Sequence, residues 1–571
     1  MVQRLFTTYS ENLSKESIPH DYYPRMQLRR ESFFNLNGEW DFAIKKEDRT
    51  SEFDRKILVP FCPESSLSGV EVIVKPDEYM HYRRTFTLPK NFINDNVYLH
   101  FGAIDQTATV FINGKQVGEC TLPYIPFSIE ISDALSDSEN EIYVVCRDGI
   151  DKKYPYGKQT YKRGGMWYTP VSGIWQTVWL ESVPKSHIEN IKITPDLCGA
   201  EIEIFGGEAE KKITLLDSGE ELSFVGDKVK ISPEEINLWT PDNPYLYNFK
   251  LECGEDTVYS YFALRTVGKT TRGGKELLTL NGEPYLYQGL LDQGYYPDGI
   301  FLPATIDGYR DDILRMKELG FNMLRKHIKI EPMIFYYLCD SLGMIVFQDL
   351  INNSDYNFIR DTVMPTFLTQ TISDEKLHTN KEERAIFVEM MSKTTTLLYN
   401  SPSIVYYTIF NEAWGQFCSD EMYDKFIALD NTRIVDSTSG WFRRKKSDVD
   451  SRHIYFKPLK AKKLSGKAFV ISEFGGYSYR APGHIFSDKE YGYRSYRSLD
   501  EYQRGVAKLY DTQVREMIKC GCSAFVYTQV SDVEDETNGI LTYDRRICKL
   551  NVDEFKPILN SLYDEFKKMA N

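Results

Sequence analysis

The sequence predicts a multidomain β plus α/β protein: two all-β modules followed by a (β/α)8 barrel. Three observations predict it. Residues 1–183 alternate apolar and polar positions between turn signals with no strong helical period. Residues 184–268 repeat that character in a shorter, more polar stretch, and from residue 269 short apolar runs alternate with helical segments. Alternating strands and helices are the signature of a parallel sheet covered by helices. At 571 residues the chain is too long for one core.

In residues 1–183, Asp41–Ile44, Tyr82–Leu88 and Glu141–Cys146 read as strands and Thr107–Val117 as a hairpin. Asn113-Gly114 is a two-residue hairpin signal of the type I′ kind. Many short strands imply a sandwich or a jelly roll. The Gly- and Pro-rich loop Gly164–Trp175 interrupts this pattern and carries Trp167 and Trp175, which suit either core packing or the face of a sugar ring. In residues 184–268, strands near Ile188–Ile193, Lys212–Leu216 and Tyr247–Glu252 fit an immunoglobulin-like sandwich.

In residues 269–571 eight strands are expected: Tyr285–Leu291, Asn322–Ile328, Met344–Leu350, Val405–Phe410, Thr432–Ser437, His453–Phe456, Ala468–Ser472 and Ser523–Thr528. Helices are expected from Asp307, as cap, to Leu319, from Glu331 to Leu342 before Gly343, and around Tyr502, Val506 and Leu509. Eight such units form a TIM barrel, whose active sites lie at the C-terminal ends of the strands. Two strands end there on a glutamate, Glu412 after strand four and Glu473 after strand seven. A structural ion pair is the alternative reading. A pair of carboxyl groups is what cleavage of a glycosidic bond requires, one to protonate the leaving oxygen and one to attack or stabilise the anomeric centre.

Bulk properties exclude several classes. Net charge is −14, which disfavours nucleic acid and anionic membrane as partners. Ten scattered cysteines show no metal-ligand spacing and read as free thiols of a reducing cytoplasm. Neither a signal peptide nor a membrane span is evident at the sequence level.

Over nearly its whole length the chain resembles glycoside hydrolase family 2, the β-galactosidases, β-glucuronidases and β-mannosidases. The resemblance rests on Leu36–Phe42, Val59–Leu67, Tyr82–Phe86, Phe111–Lys115, Val171–Trp175, Asp242–Tyr247, Phe262–Val267 and Leu280–Pro284, then on Asn411-Glu412 and Ser472–Gly476. It implies a sugar-binding jelly roll (1–183), an immunoglobulin-like sandwich (184–268) and a catalytic barrel (269–571). It further implies Glu412 as acid/base, Glu473 as nucleophile, Asn411 on the substrate 2-hydroxyl, Tyr455 on the nucleophile and Arg325 beside it. Trp414 and Trp167 are candidate sugar platforms.

The chain also departs from the family. Arg325 is followed by Lys326-His327-Ile328-Lys329, so His327 stands two residues after the arginine instead of three. Leu291-Asp292-Gln293-Gly294 stands where galactosidases have Asn-Arg-His-Glu at the first strand, and Tyr527 stands where a tryptophan is common at the end of strand eight. The Asn-x-Lys of β-glucuronidases is absent from Val533–Arg545. Lys326, Lys329 and Arg443–Lys446 offer another route to an anionic sugar, or, for the last run, a solvated loop. The reading is a retaining, exo-acting β-glycosidase, β-galactosidase first, with β-glucuronidase or β-mannosidase as alternatives and a non-catalytic carbohydrate-binding protein as the different class. No cofactor and no catalytic metal are expected; the partner is an oligosaccharide or glycoside. Family members commonly form dimers or tetramers, and nothing in the sequence chooses an oligomer.

Overall fold

A computed structural model of the chain describes residues 2–13, 17–363, 373–440, 444–461 and 464–570. The N-terminal module packs a six-stranded antiparallel sheet against a four-stranded one. Trp40, Phe42, Tyr82, Leu99, Val110, Val144 and Leu180 alternate inward from both sheets to make its core. The hairpin Thr107–Ile112/Lys115–Cys120 turns at Asn113 and Gly114, both with positive φ, as a type I′ turn requires. The second module sandwiches a three-stranded sheet on a four-stranded one around Ile193, Ile202, Ile213, Phe249 and Leu251.

The third module is the barrel. Its parallel strands are β1 (Tyr287–Asp292), β2 (Met323–Lys326), β3 (Ile345–Asp349), β4 (Ile404–Asn411), β5 (Ile434–Ser439), β6 (Val449–Ile454), β7 (Ala468–Gly475) and β8 (Cys522–Thr528). Their order is β5-β4-β3-β2-β1-β8-β7-β6, so the ladder closes everywhere except between β5 and β6. Helices α1 (Asp307–Glu318), α2 (Met333–Leu342), α3 (Lys381–Leu398), α4 (Ser419–Leu429), α5 (Leu499–Lys508) and α6 (Val552–Ala570) cover it. Among the described residues no helix links β5 to β6 or β6 to β7. Two expectations need correction. Asp307 is the first helical residue, and the position before it, Ile306, carries no capping bond. The sixth strand begins at Val449, four residues before the expected His453.

Residue alternation fills the barrel. Met323, Phe347, Tyr406, Val470, Ala524 and Val526 point inward, while Leu324, Val346, Tyr407, Ile471 and Phe525 point out toward the helices. A three-stranded sheet (Val267–Arg272, Lys275–Leu280, Glu283–Pro284) lies at the N-terminal ends of the strands, where Ser523 Oγ accepts from Leu278 N–H and Glu276 accepts from Ala468 N–H. The bottom is therefore closed and the C-terminal end carries the mouth. The ten cysteines are unpaired, and no described helix is long and apolar enough to cross a membrane.

Phe347 and Tyr406 stack inside the barrel with ring centres 4.2 Å apart. Phe347→Ala opens a cavity there, and a cost of about 3–5 kcal/mol is expected. A clear fall in the urea midpoint reads it, whereas Val225→Ala, at an exposed position, leaves the midpoint unchanged. Equal midpoints would contradict this account of the core.

Candidate active site

Arg325, next to last in β2, faces inward and is fully buried. Its Nε donates to Asp349 Oδ1 (3.0 Å), Nη2 to Asn411 Oδ1 (2.9 Å), and Nη1 to Glu473 Oε1 (3.1 Å) and the Ser472 carbonyl (2.9 Å). One guanidinium thus joins β2, β3, β4 and β7. Burial alone would lower its basicity, but Asp349 and Glu473 more than compensate and hold it charged. Burial works to raise Asp349, yet Arg325 and His327 keep its carboxyl below the usual range.

Glu473 reaches the mouth through an irregularity. Val470 and Ser472 face inward, so strict alternation would turn Glu473 outward to the helices. The β7–β8 register shifts between Ile471 and Phe474, and a bulge of this kind re-aims a side chain. Tyr455, just beyond β6, donates its hydroxyl to Glu473 Oε2 at 2.5 Å and lies 2.8 Å from Thr528 Oγ1. Burial first, then the charge of Glu473, holds this phenol well above the usual range, so it stays a donor.

Glu412 follows Asn411 on a turn with φ +49° at Glu412 and +66° at Ala413, conformations costly for residues with a Cβ. The Glu412 N–H donates to the Ser439 carbonyl (2.9 Å) and the Trp414 N–H to that of Asn411 (2.9 Å), which fixes the turn. A Glu412 carboxylate oxygen and one of Glu473 lie within 4.8 Å of each other. His453 stands between them, with Nδ1 2.7 Å from Glu412 Oε1 and 3.4 Å from Glu473 Oε2, and Nε2 2.8 Å from Ser439 Oγ. The sequence reading missed His453. The available signal was its spacing of two from Tyr455, which places both on one face of a strand. A Cβ on Gly440 (φ +86°) would come within 2.7 Å of the His453 ring, so only glycine fits there.

Glu412, His453 and Glu473 also form a set with metal-ligand spacing among the described residues. The guanidinium bonded to Glu473 already supplies a cation there, which opposes a second one.

His327 bonds Asp349 Oδ2 through Nδ1 (2.7 Å) and lies 6.3 Å, ring to ring, from Trp414. Trp414 stacks on Trp167 at 5.4 Å, and Trp167 meets Tyr356 at 5.1 Å. The N-terminal module therefore supplies part of the mouth, whereas Trp175 is core. Asp292 is turned away, accepting from Lys326 Nζ at 2.6 Å. Tyr527 is buried against Phe474 and accepts from Tyr477 N–H.

The anionic-sugar route expected of Lys326 and Lys329 is corrected by the structure. Lys326 alternates to the outer face, where it pairs with Asp292 and Glu331, and Lys329 pairs with Glu331. Arg443 lies outside the described residues. Arg444 pairs with Asp374 and Lys446 with Asp424.

Burial first, then the charge of Lys158, pushes His327 down from 6.5 to about 4, against the pull of Asp349. Between those values the unfolded chain takes up a proton that the folded ring refuses, so stability falls as pH drops from 6.5 to 4 and levels below. Melting curves are expected to show His327→Gln losing about 3 kcal/mol less than wild type across that window. Parallel acid arms would contradict a neutral, buried His327.

Residues 64–172 match the model of the glycosyl hydrolase 2 galactose-binding domain-like family, and residues 275–557 that of the glycosyl hydrolases family 2 TIM barrel domain. A β-galactosidase of Thermoanaerobacter pseudethanolicus is 26% identical over 349 residues, 55% of this chain and 46% of that protein. A putative β-glucuronidase of Formosa agariphila is 24% identical over 386 residues, 63% of this chain and 34% of that protein. The chain thus spans about half or less of these relatives' length. Among solved structures, the β-D-glucuronidase of Dictyoglomus thermophilum superposes with a TM-score of 0.73 at 16% identity, over 96% of this chain and 98% of that one. A β-galacturonidase of Eisenbergiella tayi bound to galacturonate gives 0.67 at 20%, over 95% and 99%. At such identities these structures speak for the fold.

Proposed function

Because the chain belongs to glycoside hydrolase family 2, we propose that it is a retaining, exo-acting β-glycosidase with Glu473 as nucleophile and Glu412 as acid/base. One observation carries this reading: two carboxyl groups from opposite walls of the barrel lie within 4.8 Å, close enough for direct attack. Retaining enzymes hold the two groups about 5–5.5 Å apart, and inverting enzymes need a wider gap for water.

The surroundings assign the roles. Glu473 is held by a charged guanidinium and a phenol hydroxyl, which orient it as a carboxylate. It attacks the anomeric carbon while Glu412 gives its proton to the departing oxygen, leaving a glycosyl ester on Glu473. Glu412 then takes a proton from water, which attacks the same carbon and frees Glu473. The two displacements come from opposite faces of the anomeric carbon and each inverts it, so configuration is retained. Asn411, fixed by Arg325 through its oxygen, keeps a buried Nδ2 with no partner among the described residues, a donor suited to a sugar hydroxyl beside the reacting carbon. Trp167, half-buried, offers an apolar face for the ring, and Trp414, buried and stacked on it, holds that face in place.

The sequence relatives named β-galactosidase support a terminal β-galactoside. The sequence relatives named putative β-glucuronidase support a sugar acid instead. Lys158, described below, favours the second.

On nitrophenyl β-glycosides, Glu473→Gln is expected to lower kcat by about 10⁴-fold or more. Glu412→Gln is expected to slow poor leaving groups by about 10²–10⁴-fold and to recover with azide, giving a β-glycosyl azide. Proton NMR should show the β anomer released first. First release of the α anomer, or an active Glu473→Gln, would overturn the assignment.

A further inference from the structure

The segment Tyr156–Gln159 of the N-terminal module lies against the barrel mouth beyond β2 and β3. The Tyr156 N–H donates to the Asn352 carbonyl (3.2 Å), and a Cβ on Gly157 (φ +62°) would come within 2.9 Å of the Ile328 carbonyl oxygen. Gln159 is pinned from the other side by Asp105 and Tyr124. Lys158 sits between these anchors. Its Nζ is 5.7 Å from the Trp414 ring centre and 5.6 Å from that of Tyr168, and the residue is only 6% exposed.

Buried ammonium groups are normally paired. Other buried lysines here obey: Lys326 with Asp292 and Glu331, Lys329 with Glu331, and Lys549 with Asp532. Among the described residues the Lys158 ammonium has no hydrogen-bond or ion-pair partner. Lys158 acts electrostatically on the Glu536 carboxyl, but that carboxyl is engaged by Tyr168 Oη and Asn538 Nδ2, and burial raises it from the usual range. A second donor is unmatched on the same wall: Trp414 Nε1 is buried without an acceptor among the described residues. His327 beside it is spoken for by Asp349 and held neutral. Two donors without acceptors line the mouth next to the acid's own turn. A monoanion with two oxygens supplies what both lack, and a dianion would set its second charge against the Asp349 and Glu473 side of the site.

We propose that Lys158 is a specificity-determining residue of the sugar subsite, its ammonium receiving the C6 carboxylate of a β-linked hexuronide. This rests on the glycosidase reading above. It places recognition of the acid on the N-terminal module and not on the loop after β8.

The test compares kcat/KM of wild type, Lys158→Met and Lys158→Arg on nitrophenyl β-glucuronide, β-galacturonide, β-glucoside, β-galactoside and 6-phospho-β-galactoside. Wild type is expected to favour a uronide over its neutral counterpart by about 100-fold or more, and Lys158→Met to reduce that ratio about 100-fold. Lys158→Arg should keep much of it, and the phosphosugar should gain no advantage. Being a ratio within each variant, the readout is insensitive to a loss of folded protein. A ratio near one, a ratio unmoved in Lys158→Met, or a preference for the phosphosugar overturns the proposal. If neutral glycosides are cleaved through Glu473 without a uronide advantage, the anion assignment falls and the glycosidase reading stands. If nothing is cleaved yet calorimetry shows glucuronate or galacturonate binding to wild type and not to Lys158→Met, the glycosidase reading falls and the anion site stands.

Discussion

A single buried guanidinium constrains the barrel mouth. Removing Arg325 from water is tolerable only because Asp349 and Glu473 neutralise it and Asn411 and the Ser472 carbonyl take its remaining N–H groups. These partners belong to three other strands, so the ion cluster also sets how those strand ends sit relative to one another. The geometry of the carboxylate pair follows. Glu473 is held at Oε1 by Arg325 and at Oε2 by Tyr455, and Glu412 is brought to meet it by a strained turn tied to β5. Strain of this kind persists where surrounding bonds over-determine it.

The fold was legible because its signals are local. Period-two alternation marks the sandwiches, and runs buried on both faces mark β4 and β7, in which every residue is buried. The carboxylates were legible for the same reason, since an ionisable group at the end of an all-apolar strand needs a polar destination. The role of Asn411 came from family resemblance. Tyr455 and the role of Arg325 came from family resemblance, because nothing local separates a mouth tyrosine from a core one.

What escaped the sequence is long-range. Lys326 looked like a candidate for an anionic sugar because it follows Arg325, yet adjacent strand residues face opposite ways, and it is Arg325 and His327 that share the mouth. Lys158 was invisible for the opposite reason. It belongs to a loop more than 160 residues away in sequence from the strands it lies against, and only the docking of the N-terminal module on the barrel carries it there. Trp167 reaches Trp414 by the same docking. The bulge that turns Glu473 inward is likewise a property of the β7–β8 pairing and not of either segment alone.

The account stands on Glu473 being the atom donor to the anomeric carbon. Treating the protein with a 2-deoxy-2-fluoro-β-glycosyl fluoride of a sugar it cleaves, then digesting it and sequencing the labelled peptide by mass spectrometry, tests this directly. The account predicts one fluoroglycosyl ester, on the peptide containing Glu473. A label on any other carboxylate, or turnover of the reagent with no covalent species, would contradict it.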